Sequence, residues 1–191
     1  MSQTTIIILA VVVALVVAVV LIYNGLIQRR LRIDEAWAQI QVQLKRRHDL
    51  IPNLVNAVKG YMDFEQETLT KVIEARGAAV SAAQAGPGGA AASAQAENFL
   101  TGALRQLFAL VENYPTLKAN ENVLKLQEEV TTTENQIGFS RQHYNSVVRD
   151  FNTSIQTFPS VIIAGMFSFR ARDYFQIEEA DTAVPTVNLR S

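Results

Sequence analysis

The chain has 191 residues, with 17 basic and 18 acidic side chains and a formal net charge of −1. Balanced charge without a basic stripe argues against a nucleic-acid partner. The absence of cysteine excludes disulfides, thiolate metal sites and thiol catalysis.

An apolar segment near the amino terminus, residues 6–22, consists of 17 uncharged residues. As a helix it would be about 26 Å long, close to the thickness of a bilayer's hydrocarbon core. It lacks preceding basic residues and a small-residue cleavage motif, so we predict a retained membrane anchor over residues 1–23. Ala10, Ala14 and Ala18 form either a packing face for a second membrane helix or a lipid-facing surface.

Basic residues near this anchor all lie on its carboxyl side, where Arg29, Arg30 and Arg32 follow it. The positive-inside bias therefore predicts an amino terminus outside and a cytoplasmic carboxyl-terminal domain. A translocated domain is the alternative, because long domains can cross a membrane despite this bias.

Residues 24–175 are predicted to form one helical domain, because apolar positions recur at alternating steps of three and four. A shorter stripe with the same spacing lies in residues 90–113. The two long stripes need each other or a partner helix, which leaves an up-and-down bundle core and a coiled-coil dimer as interpretations. The first long stripe is Ile33, Trp37, Ile40, Leu44, Arg47, Ile51, Leu54, Val58 and Tyr61. The second is Val130, Glu134, Ile137, Arg141, Tyr144, Val148, Phe151, Ile155 and Phe158.

The predicted fold is all-α: the membrane helix continues into a long kinked helix of a bundle with three long helices and a short fourth. Pro52 is expected to kink the first helix without ending it, and Gly60 could loosen it again. A continuous helix over residues 24–85 would reach about 90 Å and extend beyond its partners, unless it folds at Pro52 or Gly60. Such an overhang would expose apolar surface, so we expect self-association.

The borders of the other helices follow from local signals. The Ala/Gly-rich stretch 77–96 is predicted to be a hairpin connection, because its GPGG centre at 86–89 cannot remain helical. Asn120 is the predicted N-cap of the third helix. Residues 176–191 are predicted to be a flexible tail.

Several polar residues interrupt the apolar stripes: Arg47, Glu134, Arg141, Asn145 and Asn152. A buried unpaired charge is costly, so Arg47 or Arg141 is expected to meet Glu134 if the stripes are interior. The alternative is a polar groove for another protein. Glu134→Leu should discriminate between them, because loss of folding favours a buried pair and a stable, inactive bundle favours a groove.

The segment 161–169 (VIIAGMFSF) is too short to span a bilayer. It is either a short helix that caps the bundle or an interfacial or subunit-contact patch. The residues that would form this patch are Val161, Ile162, Ile163, Met166, Phe167 and Phe169.

No catalytic residue, cofactor site or metal site is predicted. Neither His48 nor His143 belongs to the Glu-x-x-His motif that di-iron bundles use, and both are expected to be solvated surface histidines. Nucleophile-elbow and phosphate-loop motifs are also missing.

Four strings of the sequence are distinctive: VQLKRRHDLIPNLVNAVKGY (42–61), ENYPTLKANENVLKLQEE (112–129), TENQIGFSRQHYNSVVRDFN (133–152) and FPSVIIAGMFSF (158–169). In this order they closely resemble the LemA family of bacterial membrane proteins. The resemblance implies a single transmembrane helix in the inner membrane with its amino terminus outside, a cytoplasmic up-and-down bundle and no established enzymatic activity. Relatives associated with magnetosome membranes suggest a part in membrane organisation.

The leading functional hypothesis is a membrane-anchored scaffold that forms homo-oligomers in the lipid bilayer. The alternative is an adaptor that binds an unidentified soluble protein in a groove near Asn145 and Asn152. An enzyme would need chemistry that the sequence does not supply.

Overall fold

The computed structural model describes residues 2–60 and 65–176, and these ranges contain helices and no strand. The predicted all-α class is confirmed. The helices are α1 (Gln3–Lys59), α2 (Gln66–Ala83), α3 (Ala90–Val111), α4 (Pro115–Lys118), α5 (Glu121–Ser154) and α6 (Ser160–Met166).

The first helix, α1, has 57 residues and runs without a break from the apolar segment into the bundle. At 1.5 Å per residue it is about 86 Å long. An 18-residue window of it has a mean hydropathy of 3.5, and none of that window is buried, so it is long and apolar enough to cross a membrane. Burial begins at Leu26, and the helix continues through Pro52 as expected.

Helix α1 ends at Lys59 with Gly60 as its C-cap. The chain then returns as α2, antiparallel to α1, and Gln41 Nε2 donates a hydrogen bond to the Ala83 carbonyl at 3.2 Å. Residues 2–60 and 65–176 therefore contain four long helices, α1, α2, α3 and α5, where we expected three. Of the two alternatives, an overhanging continuous helix 24–85 or a helix that folds near Gly60, the structure has the second, and α2 and α3 cover the end of α1.

A short 3₁₀ turn, Gly86–Gly89, connects α2 to α3. Gly86 has φ +67°, a conformation that favours glycine, and a Cβ on Gly89 would lie 2.5 Å from the Ala85 Cβ. The GPGG centre is therefore the connection, whereas most of the surrounding stretch 77–96 is helical.

Helix α5 leads back along α1 towards the apolar segment. Its predicted N-cap is confirmed, because the Asn120 side chain accepts hydrogen bonds from the Asn122 and Val123 amides at 3.0 and 3.3 Å. The two long stripes meet in the core, which divides into two clusters. Phe158 is an exception at 80% exposed, since it lies beyond the end of α5.

The cluster far from the apolar segment joins α1, α2, α3, α4 and α5. The near cluster joins α1, the start of α3, α5, α6 and the chain that follows α6. Tyr61 and the predicted tail from residue 177 onwards lie outside the described residues.

Candidate functional site

A cluster of charged side chains lies inside the bundle where α1, α3 and α5 meet. The Arg47 side chain is fully buried and forms salt bridges with Glu97 and Glu134. Glu97 is also fully buried, whereas the Glu134 side chain is 34% exposed. Thr101 completes the connection, because its hydroxyl accepts from Arg47 Nη1 at 3.1 Å and donates to Glu134 Oε1 at 3.2 Å.

His48 belongs to the same cluster. Its side chain is 6% exposed, and Nε2 lies 2.8 Å from Glu97 Oε1. The backbone carbonyl of His48 accepts from Arg76 Nε at 2.6 Å. Our expectation of a solvated His48 was wrong, because α3 brings Glu97 against this face of α1. His143, by contrast, is exposed.

The charge state of Glu97 follows from these contacts. Burial acts to raise its pKa, but the hydrogen bond with His48 and the positive charge of Arg47 together outweigh burial and hold the pKa below its ordinary value. Glu97 is therefore the ionised partner of Arg47. The cluster fixes α1, α3 and α5 at one level, since buried polar groups specify register between helices.

Sequence reasoning missed Glu97, although a signal for it exists. Ala90, Glu97, Leu104 and Val111 are spaced by seven, and all four are buried on one face of α3. Because two of the four positions are alanine and glutamate, this face of α3 does not stand out from its other faces as an apolar stripe.

The lowered pKa of Glu97 predicts an acid-sensitive fold. Because the pKa of Glu97 is lower in the folded protein than its ordinary value of 4.5, its ionised carboxylate stabilises the fold fully above pH 4.5. This stabilisation is lost as the pH falls below 4.5 and through the lower pKa of the folded state. We expect the denaturant midpoint of the full chain in detergent to decrease below pH 4.5, and to do so less steeply in Glu97→Gln. Glu67→Gln is the control, because Glu67 forms an exposed ion pair with Lys71. An acid response unchanged by Glu97→Gln would contradict this assignment.

Two predicted polar residues, Asn145 and Asn152, hold the chain segment 170–176, which we call the C-terminal strap. Asn152 donates to the Arg172 carbonyl at 2.9 Å and accepts from the Arg172 amide at 2.8 Å. Asn145 makes the same pair of bonds with Phe175, at 3.0 and 2.9 Å. In the structure, the groove proposed for a partner is therefore occupied by the chain itself.

Two aromatic residues complete the strap site. Phe175 is fully buried with its ring 5.7 Å from that of Trp37. The Tyr144 hydroxyl donates to the Asp173 carbonyl at 3.1 Å. Burial is the main cause that raises the pKa of Tyr144 to about 12, so the hydroxyl stays protonated and able to donate. Arg141 is half-buried on α5, one turn before Tyr144.

The predicted patch 161–169 divides into an inner and an outer side. Ile163 is buried and Phe169 is half-buried, so α6 caps the core, while Val161, Ile162, Met166 and Phe167 are exposed. The Phe167 and Phe169 rings lie 4.7 and 5.9 Å from that of Tyr23. The exposed side therefore adjoins the end of the apolar segment of α1.

The predicted alanine face, Ala10, Ala14 and Ala18, is uncovered in the structure. Of the residues that pack on the core, Val19 and Tyr23 lie about 140° and 180° from Ala14 around the helix, and Ile22 lies about 80° from it. Within the described residues, no group of three or more histidine, aspartate or glutamate side chains could hold a metal ion.

Comparison with known proteins gives a family match over most of the bundle. The profile of the LemA family matches residues 36–189. Protein LemA of Metamycoplasma hominis is 28% identical over 169 residues, which cover 88% of this chain and 75% of that protein. Magnetosome protein MamQ 2 of Paramagnetospirillum magneticum is 24% identical, and the match covers 93% of this chain and 74% of that protein. Magnetosome protein MamQ of Magnetospirillum gryphiswaldense is 23% identical, and the match covers 91% of this chain and 72% of that protein.

Proposed function

Since this chain belongs to the LemA family, we propose that it is a membrane-anchored, non-enzymatic scaffold that self-associates through its membrane helix. The names of its relatives, LemA and MamQ, are not names of enzymes. Three relatives are named as magnetosome proteins, which supports a part in membrane organisation.

The observation that carries this proposal is the continuity of α1. The same helix contains the apolar segment and contributes buried residues from Leu26 to Val58 to the core. No loop separates anchor from bundle, so the bundle cannot turn independently of the membrane helix. Two such helices in contact would hold their bundles at a fixed distance and angle, which a scaffold requires.

The proposed contact face is the one formed by Ala10, Ala14 and Ala18. Small side chains let two membrane helices approach closely, and α6 leaves this side of the helix uncovered. We place the amino terminus outside and the bundle in the cytoplasm, because Arg29 and Arg30 follow the apolar segment.

Cysteine cross-linking in membranes tests this proposal, because the chain has no cysteine of its own. We expect Ala14→Cys to form disulfide-linked dimers rapidly under mild oxidation. Val16→Cys is the matched control, because it lies at a similar depth but about 160° away around the helix. We expect it to cross-link at least about tenfold more slowly, since close approach needs the small-residue face.

Equal cross-linking of the two variants, or none at native expression level, would contradict the proposed contact. Ala14→Leu, combined with a reporter cysteine at Ala18, should remove the cross-link by separating the helices.

The contacts of Asn145 and Asn152 favour self-association over the adaptor hypothesis. That hypothesis placed a partner near Asn145 and Asn152, and both amides bind the chain's own backbone. We therefore rank self-association first.

A further inference from the structure

A cavity of about 320 Å³ lies between α1, the end of α5 and the chain that follows α6. Its walls include Tyr23 and Arg30 of α1, Phe151 of α5, and the segment from Phe167 to Arg172. Ser168 in this segment has φ +56°, which turns the chain from α6 into the strap. The cavity is within the size range of small-molecule sites.

The cavity is strongly basic. Arg30, Arg170 and Arg172 line it, and none of the described residues that line it is acidic. Within the described ranges, none of the three arginines forms a salt bridge, in contrast to the doubly paired Arg47. Three arginine residues around one space favour an anionic occupant, because a guanidinium matches phosphate with two parallel hydrogen bonds.

The position of the cavity points to the source of that anion. Tyr23 directly follows the apolar segment, and Arg30 lies about 10 Å further along the helix. The polar headgroup layer adds about 5–8 Å on each side of the hydrocarbon core. An arginine side chain can extend back towards it. With α1 across the bilayer, as in the proposed function, the cavity opens at the level of the lipid headgroups.

The surface next to the cavity is apolar. Ile162 and Met166 of α6 are 55% and 70% exposed, and Phe167 lines the cavity while its own ring is half exposed. An apolar rim beside a basic cavity matches a molecule with acyl chains and an anionic head, whereas free phosphate would leave the rim unused.

We propose that this cavity binds the phosphate-bearing headgroup of an anionic phospholipid from the adjoining leaflet. The three arginines contact the phosphate, and Met166 of α6 and the adjoining Phe167 insert beside the acyl chains. The inference requires that α1 spans the membrane, as the proposed function also does. It does not require self-association, because all the residues belong to one chain.

Native mass spectrometry of the full chain in detergent tests the site with phosphatidylglycerol and phosphatidylcholine as probes. We expect the wild-type protein to retain phosphatidylglycerol at least about fivefold more strongly than phosphatidylcholine. Arg170→Gln should reduce this preference by about fivefold, the contribution of one basic residue near an anionic surface. Arg46→Gln is the matched control, because Arg46 is exposed on α1 and lines a different surface.

Equal retention of the two lipids, or an equal loss in Arg46→Gln and Arg170→Gln, would overturn the proposal. Displacement of phosphatidylglycerol by millimolar inorganic phosphate would instead assign the cavity to a soluble anion and would also overturn it. Phe167→Ser should weaken lipid retention, as a lipid occupant requires. Circular dichroism of each variant controls for folding, and the cross-linking of Ala14→Cys reports self-association separately.

Discussion

Replacing Arg47 with methionine is expected to lower the free energy of unfolding by about 3–5 kcal/mol. The variant keeps a side chain of similar length but leaves the fully buried Glu97 carboxylate without its guanidinium partner. His48 remains as the only hydrogen-bond partner of Glu97 among the described residues. Guanidinium-induced unfolding of the full chain in detergent, followed by circular dichroism, measures the loss.

Glu134→Leu should lower the free energy of unfolding less than Arg47→Met does. Arg47 then keeps its bridge to Glu97, and the Glu134 side chain is already 34% exposed, so we expect a loss of only about 1–3 kcal/mol. Because Glu134 is paired but partly exposed, we expect this partial loss in place of the loss of folding that the sequence suggested for a buried pair. Equal stability of Arg47→Met and wild-type protein would show that the cluster does not hold the three helices together.

The second large effect is expected at the C-terminal strap. Phe175→Ala removes a fully buried ring from its contact with Trp37, and such truncations cost about 3–5 kcal/mol. Because the strap follows the last helix, we expect this loss to appear as local release of residues 170–176 while the bundle stays folded.

Limited trypsin digestion measures that release, because the enzyme cleaves after Arg172, whose backbone is bound to Asn152 in the folded strap. We expect cleavage there to accelerate about a hundredfold in Phe175→Ala, as a loss of about 3 kcal/mol implies. Phe139→Ala is the control, because Phe139 is an exposed phenylalanine of α5 and should change nothing. Cleavage of Phe175→Ala at the wild-type rate would mean that the asparagine bonds alone secure the strap.

Strap release and lipid binding are linked in the structure. The backbone of Arg172 is hydrogen-bonded to Asn152, and the same residue lines the basic cavity. Loss of the strap would therefore remove two of the three arginines from the proposed phosphate site. Phe175→Ala should weaken phosphatidylglycerol retention without touching any residue that lines the cavity.

Sequence reasoning succeeded where the determinants are local. The apolar segment, the two long stripes and the Asn120 cap depend on residues within a few turns of each other, because helix periodicity and capping act over that range. It also anticipated that Arg47 would need an acidic partner. It could not find His48 or Glu97, since neighbouring charges around His48 indicated a solvated surface and only the approach of α3 buries it.

The sequence by itself determined that this protein is helical, where its apolar segment lies and which helix faces are interior, because these properties follow from spacing along one chain. Only the tertiary structure decided that α1 stops at Lys59 and that α2 turns back, because leaving a helix at Gly60 is favourable once α2 can pack on α3. The position of the C-terminal strap was also decided only by the tertiary structure. Its bonds join residues 20 and 30 positions apart, and no local pattern encodes a side chain that pairs with a distant backbone.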